Sequence, residues 1–237
     1  MSKKTPIKLA TIAAAISLSV VLSPAVNTQA AGTSVLNLQL NEKVGATIAR
    51  DTSGQNHNGT IGSHIKMNGA FADWDRHSPA EGIAYGLKHL ITIPDAANGS
   101  LDPGISNFSI TLRFRTSENF GNVIQKGQAT TAGGQVKFQI PKGKLSCMFK
   151  TPSGTATAGS GTKLLNDNQW HVVRCDRTPT SVTMFVDGVQ TGRNNNPTGA
   201  LNNAKPWTIG GKSECNAVTV SCDYFAGEVD YVTMTKG

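Results

Sequence analysis

Apolar and polar residues alternate with a period of two in several short segments of the chain, and turn-forming residues separate these segments. The clearest segment is 108–115 (FSITLRFR), in which every second residue is apolar. Val35–Leu40 and Ser181–Val186 follow the same pattern. Alternation of this kind is typical of strands that bury one face. Helical periodicity beyond two turns is nearly lacking after residue 31, so the pattern predicts an all-β protein.

Residues 166–188 (NDNQWHVVRCDRTPTSVTMFVDG) carry the strongest local signal. Trp170–Cys175 and Ser181–Val186 are rich in strand-forming residues, and Asp176–Thr180 between them contains a proline that interrupts a strand. Asp187-Gly188 then gives a strong signal for a tight hairpin turn. The segment therefore predicts an antiparallel hairpin followed at once by a second reversal.

About a dozen short strands with Gly, Pro, Asn and Asp between them favour a two-sheet antiparallel sandwich or jelly roll. The sequence has no evident internal repeat and no convincing interdomain linker. Residues 31–237 are enough for one well-cored domain. We therefore predict a single β-sandwich domain over 31–237.

The first thirty residues have the organisation of a secretory signal peptide. Lys3, Lys4 and Lys8 precede an uncharged apolar run from Leu9 to Leu22, and small residues precede Ala30. A membrane anchor is the alternative, but this run is shorter than the roughly 20 residues that span a bilayer. We predict a signal peptide over 1–30, a secreted mature chain and no membrane span after cleavage.

Charge changes this picture only modestly. The formal charge of +7 falls by the three lysines of the leader to +4. Because no block of Lys or Arg remains, a nucleic-acid partner is not expected. Weak attraction to acidic polysaccharides stays open.

Four cysteines lie in the second half of the chain, and an even number in an exported chain predicts disulfides. Three pairings are possible. We favour Cys147–Cys175 and Cys215–Cys222, because each would join neighbouring strands or close one hairpin. Zinc is disfavoured because the cysteines lack clustered C-x-x-C spacing.

Four segments, in order, resemble the bacterial laminin G-like branch of the concanavalin A-like lectin/glucanase superfamily. They are Leu38–Gly59 with its Asp-x-Ser-Gly loop, Ile91–Phe114, Gln169–Gly188 with Trp-His-x-Val and Val-Asp-Gly, and the closing Trp207–Val232. Each motif alone is weak, whereas the ordered set covers nearly all of the mature chain. The resemblance implies two curved antiparallel sheets packed face to face.

The superfamily includes enzymes, so we looked for their catalytic motifs. Retaining glucanases of this fold carry Glu-x-Asp-x-x-Glu on one strand. Glu228 and Asp230 share one face, but no second Glu follows them. The Arg-x-Glu-x-Arg of alginate lyases is also missing, since no Glu separates Arg113 from Arg115. His171 has no evident Ser partner and is interpreted as a packed strand residue. We predict that the chain is not an enzyme.

Calcium is the predicted cofactor. The loop from Asp51 to Gly59 is rich in the oxygen donors that calcium prefers. The resemblance suggests that Asp51 and Asp230 approach each other, because the first and last strands of such sandwiches are neighbours. The alternative is a turn in which Asp51 binds its own backbone.

Sugar recognition requires an aromatic platform and planar polar groups, and Trp74, Arg193 and Asn195 are candidates that we place in loops. Turn formation and packing at a sheet edge are the alternatives for them. We predict a secreted, monomeric, non-catalytic module that binds carbohydrate or a glycoconjugate. The alternatives are a polysaccharide-active enzyme of the same fold and a structural or protein-interaction module of the cell envelope.

Overall fold

The structure of the protein is a computed structural model that describes Met1 and residues 32–77, 86–214 and 221–237. Apart from Met1, the predicted signal peptide 1–30 lies outside these residues and remains a prediction. Cys215 also lies outside them, and so does the predicted Cys215–Cys222 pairing. The described sandwich falls within one compact unit, Ala31–Gly237.

Sixteen strands form in the described part of the chain. They are β1 (Thr33–Leu38), β2 (Ile48–Ala49), β3 (Gly59–Ile61), β4 (Lys66–Met67), β5 (Ala72–Trp74), β6 (Ile91–Ile93), β7 (Phe108–Arg115), β8 (Asn122–Lys126), β9 (Gln135–Gln139), β10 (Ser146–Thr151), β11 (Gly154–Gly159), β12 (His171–Thr178), β13 (Ser181–Val186), β14 (Val189–Asn194), β15 (Trp207–Ile209) and β16 (Gly227–Lys236). Short 3₁₀ helices span Gly86–His89, Pro141–Gly143 and Ser221–Asp223. No helix in these described ranges is long and apolar enough to cross a membrane.

The strands form two antiparallel sheets. The first sheet has the order β14-β13-β12-β7-β16-β5-β4, and β1 pairs with the remaining length of β16. The second sheet has the order β11-β10-β9-β8-β15-β6-β3-β2. The predicted two-sheet antiparallel sandwich is therefore confirmed, with sequence-distant strands as neighbours in both sheets.

The alternation seen in the sequence produces the core. Ile110, Leu112 and Phe114 of β7 are fully buried with the apolar residues of β12, β13 and β16. Because successive side chains of a strand point to opposite faces, Arg113 and Arg115 extend from the other side of the same sheet. We call this side the outer face of the first sheet.

A disulfide joins Cys147 to Cys175, which confirms the predicted pairing. The reason given for it was wrong. Cys147 lies on β10 in the second sheet and Cys175 on β12 in the first, so the bond crosses the core instead of joining neighbouring strands. A cross-link of this kind joins the two sheets. It also closes the loop between two cysteines that are 28 residues apart, which restricts the unfolded chain.

The predicted second reversal is confirmed. Val186 pairs with Val189, and Asp187 and Gly188 between them have φ values of 51° and 80°. Both residues are thus in the left-handed region that a tight two-residue hairpin turn requires. The predicted Asp176–Thr180 turn is shorter than expected, since β12 continues to Thr178 and pairs there with Ser181.

Candidate functional site

The Asp51 carboxylate accepts four hydrogen bonds, three of them from residues of its own loop. Oδ1 accepts hydrogen bonds from the backbone N–H groups of Asn37 (2.8 Å) and Ser53 (2.9 Å). Oδ2 accepts the Ser53 hydroxyl (2.8 Å) and the His57 N–H (2.9 Å). Burial alone would raise the pKa of Asp51, but these hydrogen bonds hold it below its ordinary value.

The first and last strands, β1 and β16, are neighbours as expected. Asp230 is bound to Arg113, with its Oδ2 2.5 Å from a guanidinium nitrogen. A carboxylate offers about four lone-pair positions, and four donors already occupy those of Asp51. In the described residues, no group of three or more His, Cys, Asp and Glu side chains could hold a metal ion. Calcium at Asp51 and Asp230 stays a prediction, which titration of a metal-free preparation with calcium would test.

The three predicted ligand residues are not brought together. Trp74 lies on β5, so its predicted loop position is wrong; the residue is 1% exposed and its indole N–H donates to the His89 carbonyl (2.7 Å). Arg193 and Asn195 are exposed and bind each other at 2.7 Å. Four strands separate β5 from β14, the strand that carries Arg193. At about 4.8 Å between neighbouring strands, the two positions are about 24 Å apart.

A β-bulge in β16 exposes a different set of polar groups. Val229 pairs with Phe114 and Tyr231 pairs with Arg113, so Asp230 is the extra residue. Val229 and Val232 remain in the core, whereas Asp230 and Tyr231 between them are only partly buried. Bulges re-aim side chains in this way and are frequent beside functional sites.

Arginines and aromatic rings stack on this part of the outer face. The guanidinium carbons of Arg113 and Arg115 lie 4.6 and 5.0 Å from the ring centroid of Trp170. Phe71 meets Trp170 edge-on at 5.5 Å. Arg115 also binds Glu228, with one nitrogen-oxygen distance of 2.8 Å and a second, shorter contact. The stacking and the ion pair together fix the plane of the Arg115 guanidinium.

A polar cavity of about 280 Å³ opens beside these stacks. Its lining includes Asp73, Arg115, Glu118, Asn168 and Glu228. Glu228 is the strand neighbour of both Arg115 and Asp73. Burial raises the pKa of Asp73, although Lys66 and Arg115 oppose the shift. The cavity therefore presents carboxylate acceptors, guanidinium donors and an amide close to an aromatic ring.

Two buried cations lie away from this face. The Lys126 side chain is fully buried, and its Nζ lies 2.5 Å from Asp95 Oδ1, 3.3 Å from Asp102 Oδ1 and 2.8 Å from the Lys205 carbonyl oxygen. Arg177, which is 1% exposed, donates to the carbonyl oxygens of Ser106 and Gly199. These contacts join loops that are distant in sequence and have a structural role.

His171 is not the simple packed strand residue that the sequence suggested. Its Nδ1 lies 2.9 Å from Asp187 Oδ2, and its Nε2 lies 3.1 Å from Asp167 Oδ1. Asp187 also accepts the Val172 N–H (2.9 Å) and contacts Lys163 Nζ (2.6 Å). Burial alone would raise the pKa of Asp187, but these bonds lower it to about 2. The His171 ring thus connects the hairpin turn, through Asp187, to the loop before β12, through Asp167.

From the sequence, Arg113, Arg115 and Glu228 were considered only against catalytic motifs, and Asp230 was considered also as a calcium ligand. Trp170 was considered only as part of a strand-forming segment and of the Trp-His-x-Val motif. Two features of the sequence could have indicated the site. The two arginines occupy outward-facing positions of β7, and Glu228 and Asp230 are two residues apart on the closing strand. The bulge that aligns them could not be predicted from the pattern, because it depends on how β16 pairs with β7.

Two antiparallel sheets packed through an apolar core form a β-sandwich, in agreement with the predicted jelly-roll class. The laminin G domain family matches residues 114–236, which is more than half of the chain. The chain therefore belongs to the laminin G domain family. No curated protein matches the sequence.

Solved structures resemble the chain at low sequence identity. The botulinum neurotoxin serotype D binding domain is 12% identical, with a TM-score of 0.56, and the match covers 86% of this chain and 47% of that one. Domains LG4-5 of the mouse laminin alpha1 chain are 18% identical, with a TM-score of 0.47, over 71% of this chain and 44% of that one. The chain thus spans less than half the length of either structure.

Proposed function

We propose that this protein is a secreted, non-catalytic carbohydrate-binding module and that the ligand binds on the outer face of the first sheet. The observation that carries the proposal is the pair of guanidinium groups fixed over Trp170, with Arg115 bound to Glu228 at the edge of the polar cavity. Sugars present hydroxyl groups around a ring with apolar faces, and they suit fixed planar donors and acceptors beside an aromatic ring. Membership in the laminin G domain family agrees with a binding module.

The cavity supports recognition of a polar ligand rather than an apolar one. Its volume of about 280 Å³ lies at the small end of ligand pockets and suits one sugar unit better than a drug-sized apolar molecule. Asp73, Glu118 and Glu228 supply acceptors, whereas Arg115 and Asn168 supply donors. Such mixed donors and acceptors satisfy hydroxyl groups that would otherwise lose hydrogen bonds to water.

The test is a glycan screen with the mature protein, followed by titration of the best ligand against Trp170→Leu. We expect Trp170→Leu to weaken binding at least about tenfold, because it removes the ring on which both arginines stack. Ile105→Ala, at an exposed apolar position, is the control and should bind normally. If no glycan binds, the proposal fails and the role as a structural or protein-interaction module gains support.

A polysaccharide-active enzyme is the second candidate, and one observation favours it. Asp73 and Glu228 are strand neighbours, and burial raises the pKa of Asp73. Glycosidases use two carboxylates held in different protonation states. We rank this candidate lower because Arg115 engages both oxygens of Glu228 and weakens it as a nucleophile. New reducing ends or unsaturated products after incubation of the bound glycan would establish activity.

A further inference from the structure

The outer face carries a third arginine-carboxylate pair on β12, the strand next to β7, which carries the cavity residue Arg115. Arg174 lies 3.1 Å from Asp176, and Asp176 also accepts the Ser109 hydroxyl at 2.7 Å. The guanidinium carbon of Arg174 lies 4.1 Å from the ring centroid of Phe185. This set has the same composition as the pairs beside Trp170. We name the three pairs Arg174–Asp176, Arg113–Asp230 and Arg115–Glu228 the arginine stripe.

Strand register shows that the arginine stripe runs diagonally across the first sheet. Phe185 pairs with Arg174, and Arg174 pairs with Thr111. Arg113 and Arg115 follow at the next two outward positions of β7, where Arg115 pairs with Glu228. The stripe with its aromatic neighbours and Asp73 therefore extends over four strand spacings and four residues, which is about 23 Å.

The aromatic neighbours alternate with the arginines along this diagonal. Phe185 lies at one end, Trp170 is shared by Arg113 and Arg115, and Phe71 stands 5.6 Å from the Arg115 guanidinium carbon. Each arginine side chain is about one third exposed, so a ligand can reach its donors. The planar groups form a track that is longer than the cavity.

Charge selects the kind of polymer that this track suits. Each of the three arginines has one carboxylate partner, and the stripe carries no net charge. An acidic polysaccharide would have to compete with these carboxylates for every guanidinium, at the cost of leaving a partly buried acid unpaired. A neutral chain can bind the remaining donors and acceptors without breaking any pair.

We infer that the arginine stripe binds an internal stretch of a linear, neutral polysaccharide, with the cavity and the Arg174–Phe185 stack as two separate subsites. The inference rests on the proposed function, because it extends the same face from one sugar to a chain. Affinity then grows with ligand length until both subsites are filled, since the second contact is made within one complex.

The experiment measures dissociation constants for linear neutral oligosaccharides of two to six units from the best class in the glycan screen. Wild type should bind the longest ligand at least about tenfold more tightly than the shortest. Arg174→Lys keeps the charge but loses the planar fork, and it should weaken only the long ligands, by about fivefold. Arg50→Lys, at an exposed arginine outside the sheet face, is the matched control and should leave all values unchanged.

The outcomes separate the inference from the function beneath it. If affinity does not depend on ligand length and Arg174→Lys binds every ligand like wild type, the second subsite is refuted. Carbohydrate binding at the cavity is then unaffected. If heparin binds more tightly than any neutral chain, and this binding is lost as salt rises above about 0.15 M, the ligand is not a neutral polysaccharide and the inference is refuted. If no neutral or acidic glycan binds, the proposed function and the inference fail together.

Discussion

Lys126 and Arg115 both contact acidic side chains, yet they lie in opposite environments. Lys126 is fully buried and contacts Asp95, Asp102 and a backbone carbonyl. Arg115 is partly exposed, stacks on Trp170 and lies at a polar cavity. In the first region the charge must be neutralised for the chain to fold, whereas in the second the charge is offered to solvent or to a ligand. Burial, rather than the ion pair itself, distinguishes a structural contact from a candidate recognition contact.

The largest expected effect is at Lys126. Lys126→Met removes the ammonium and leaves Asp95 and Asp102 without the counter-charge that both contact. Breaking a buried pair on one side costs about 3–5 kcal/mol, so we expect a melting temperature lower by about 6–20 °C. Thermal and urea unfolding of the purified variant measure the loss.

The matched control is Lys66→Met. Lys66 also pairs with an aspartate, Asp75, but both side chains are more than half exposed. An exposed pair contributes about 0–1 kcal/mol, so this variant should stay near wild type. Similar losses at the two lysines would refute the assignment of stability to burial.

The same distinction explains what sequence could predict. The bounds of β7 and β13 match the two alternating segments of the sequence. Alternation predicts one buried face, and β7 shows it from Ile110 onward, whereas every residue of β13 is buried. The Cys147–Cys175 pair was predicted correctly for the wrong reason, because sequence spacing does not reveal which strands lie in opposite sheets. The burial of Lys126 was not foreseen, since its three partners come from loops that only the sheet order brings together.

The candidate site was less predictable than the fold. Trp74 was expected in a loop, and its burial follows from the pairing of β5 with β16, which no local pattern indicates. Trp170 and the arginines of β7 were visible as residues, but their stacking depends on the register of three strands. The described structure therefore moves the candidate site from loop residues to the outer face of a sheet.

An intermediate effect is expected at Asp187, which is partly exposed and has a pKa lowered to about 2. Because the folded-state pKa lies below the ordinary value of 3.8, the carboxylate stabilises the fold above about pH 4 and loses this contribution as pH falls toward 2. Asp187→Asn tolerates the left-handed backbone but lacks the charge. It should be less stable than wild type at neutral pH, and the gap in melting temperature should close as pH falls through this range.

Asp73→Asn provides a control of opposite sign. The pKa of Asp73 is raised in the fold, so its ionised form is disfavoured by folding. Wild type should therefore lose stability relative to Asp73→Asn as pH rises through the carboxyl range, starting near 3.8. A gap that does not change with pH at either position would contradict the environments described for these two carboxylates.

The smallest stability effect and the clearest binding effect are expected at Arg115. Arg115→Lys keeps the positive charge near Glu228 but loses the planar fork and its stacking on Trp170. Stability should change by less than about 1 kcal/mol, because the pair is partly exposed. Affinity for the glycan found in the screen should fall about tenfold, since oriented donors contribute more than charge alone. Calorimetric titration and thermal unfolding of the same preparation separate the two effects. A large loss of stability with unchanged affinity would show that Arg115 has a structural role like that of Lys126. It would also refute the outer face as the binding site.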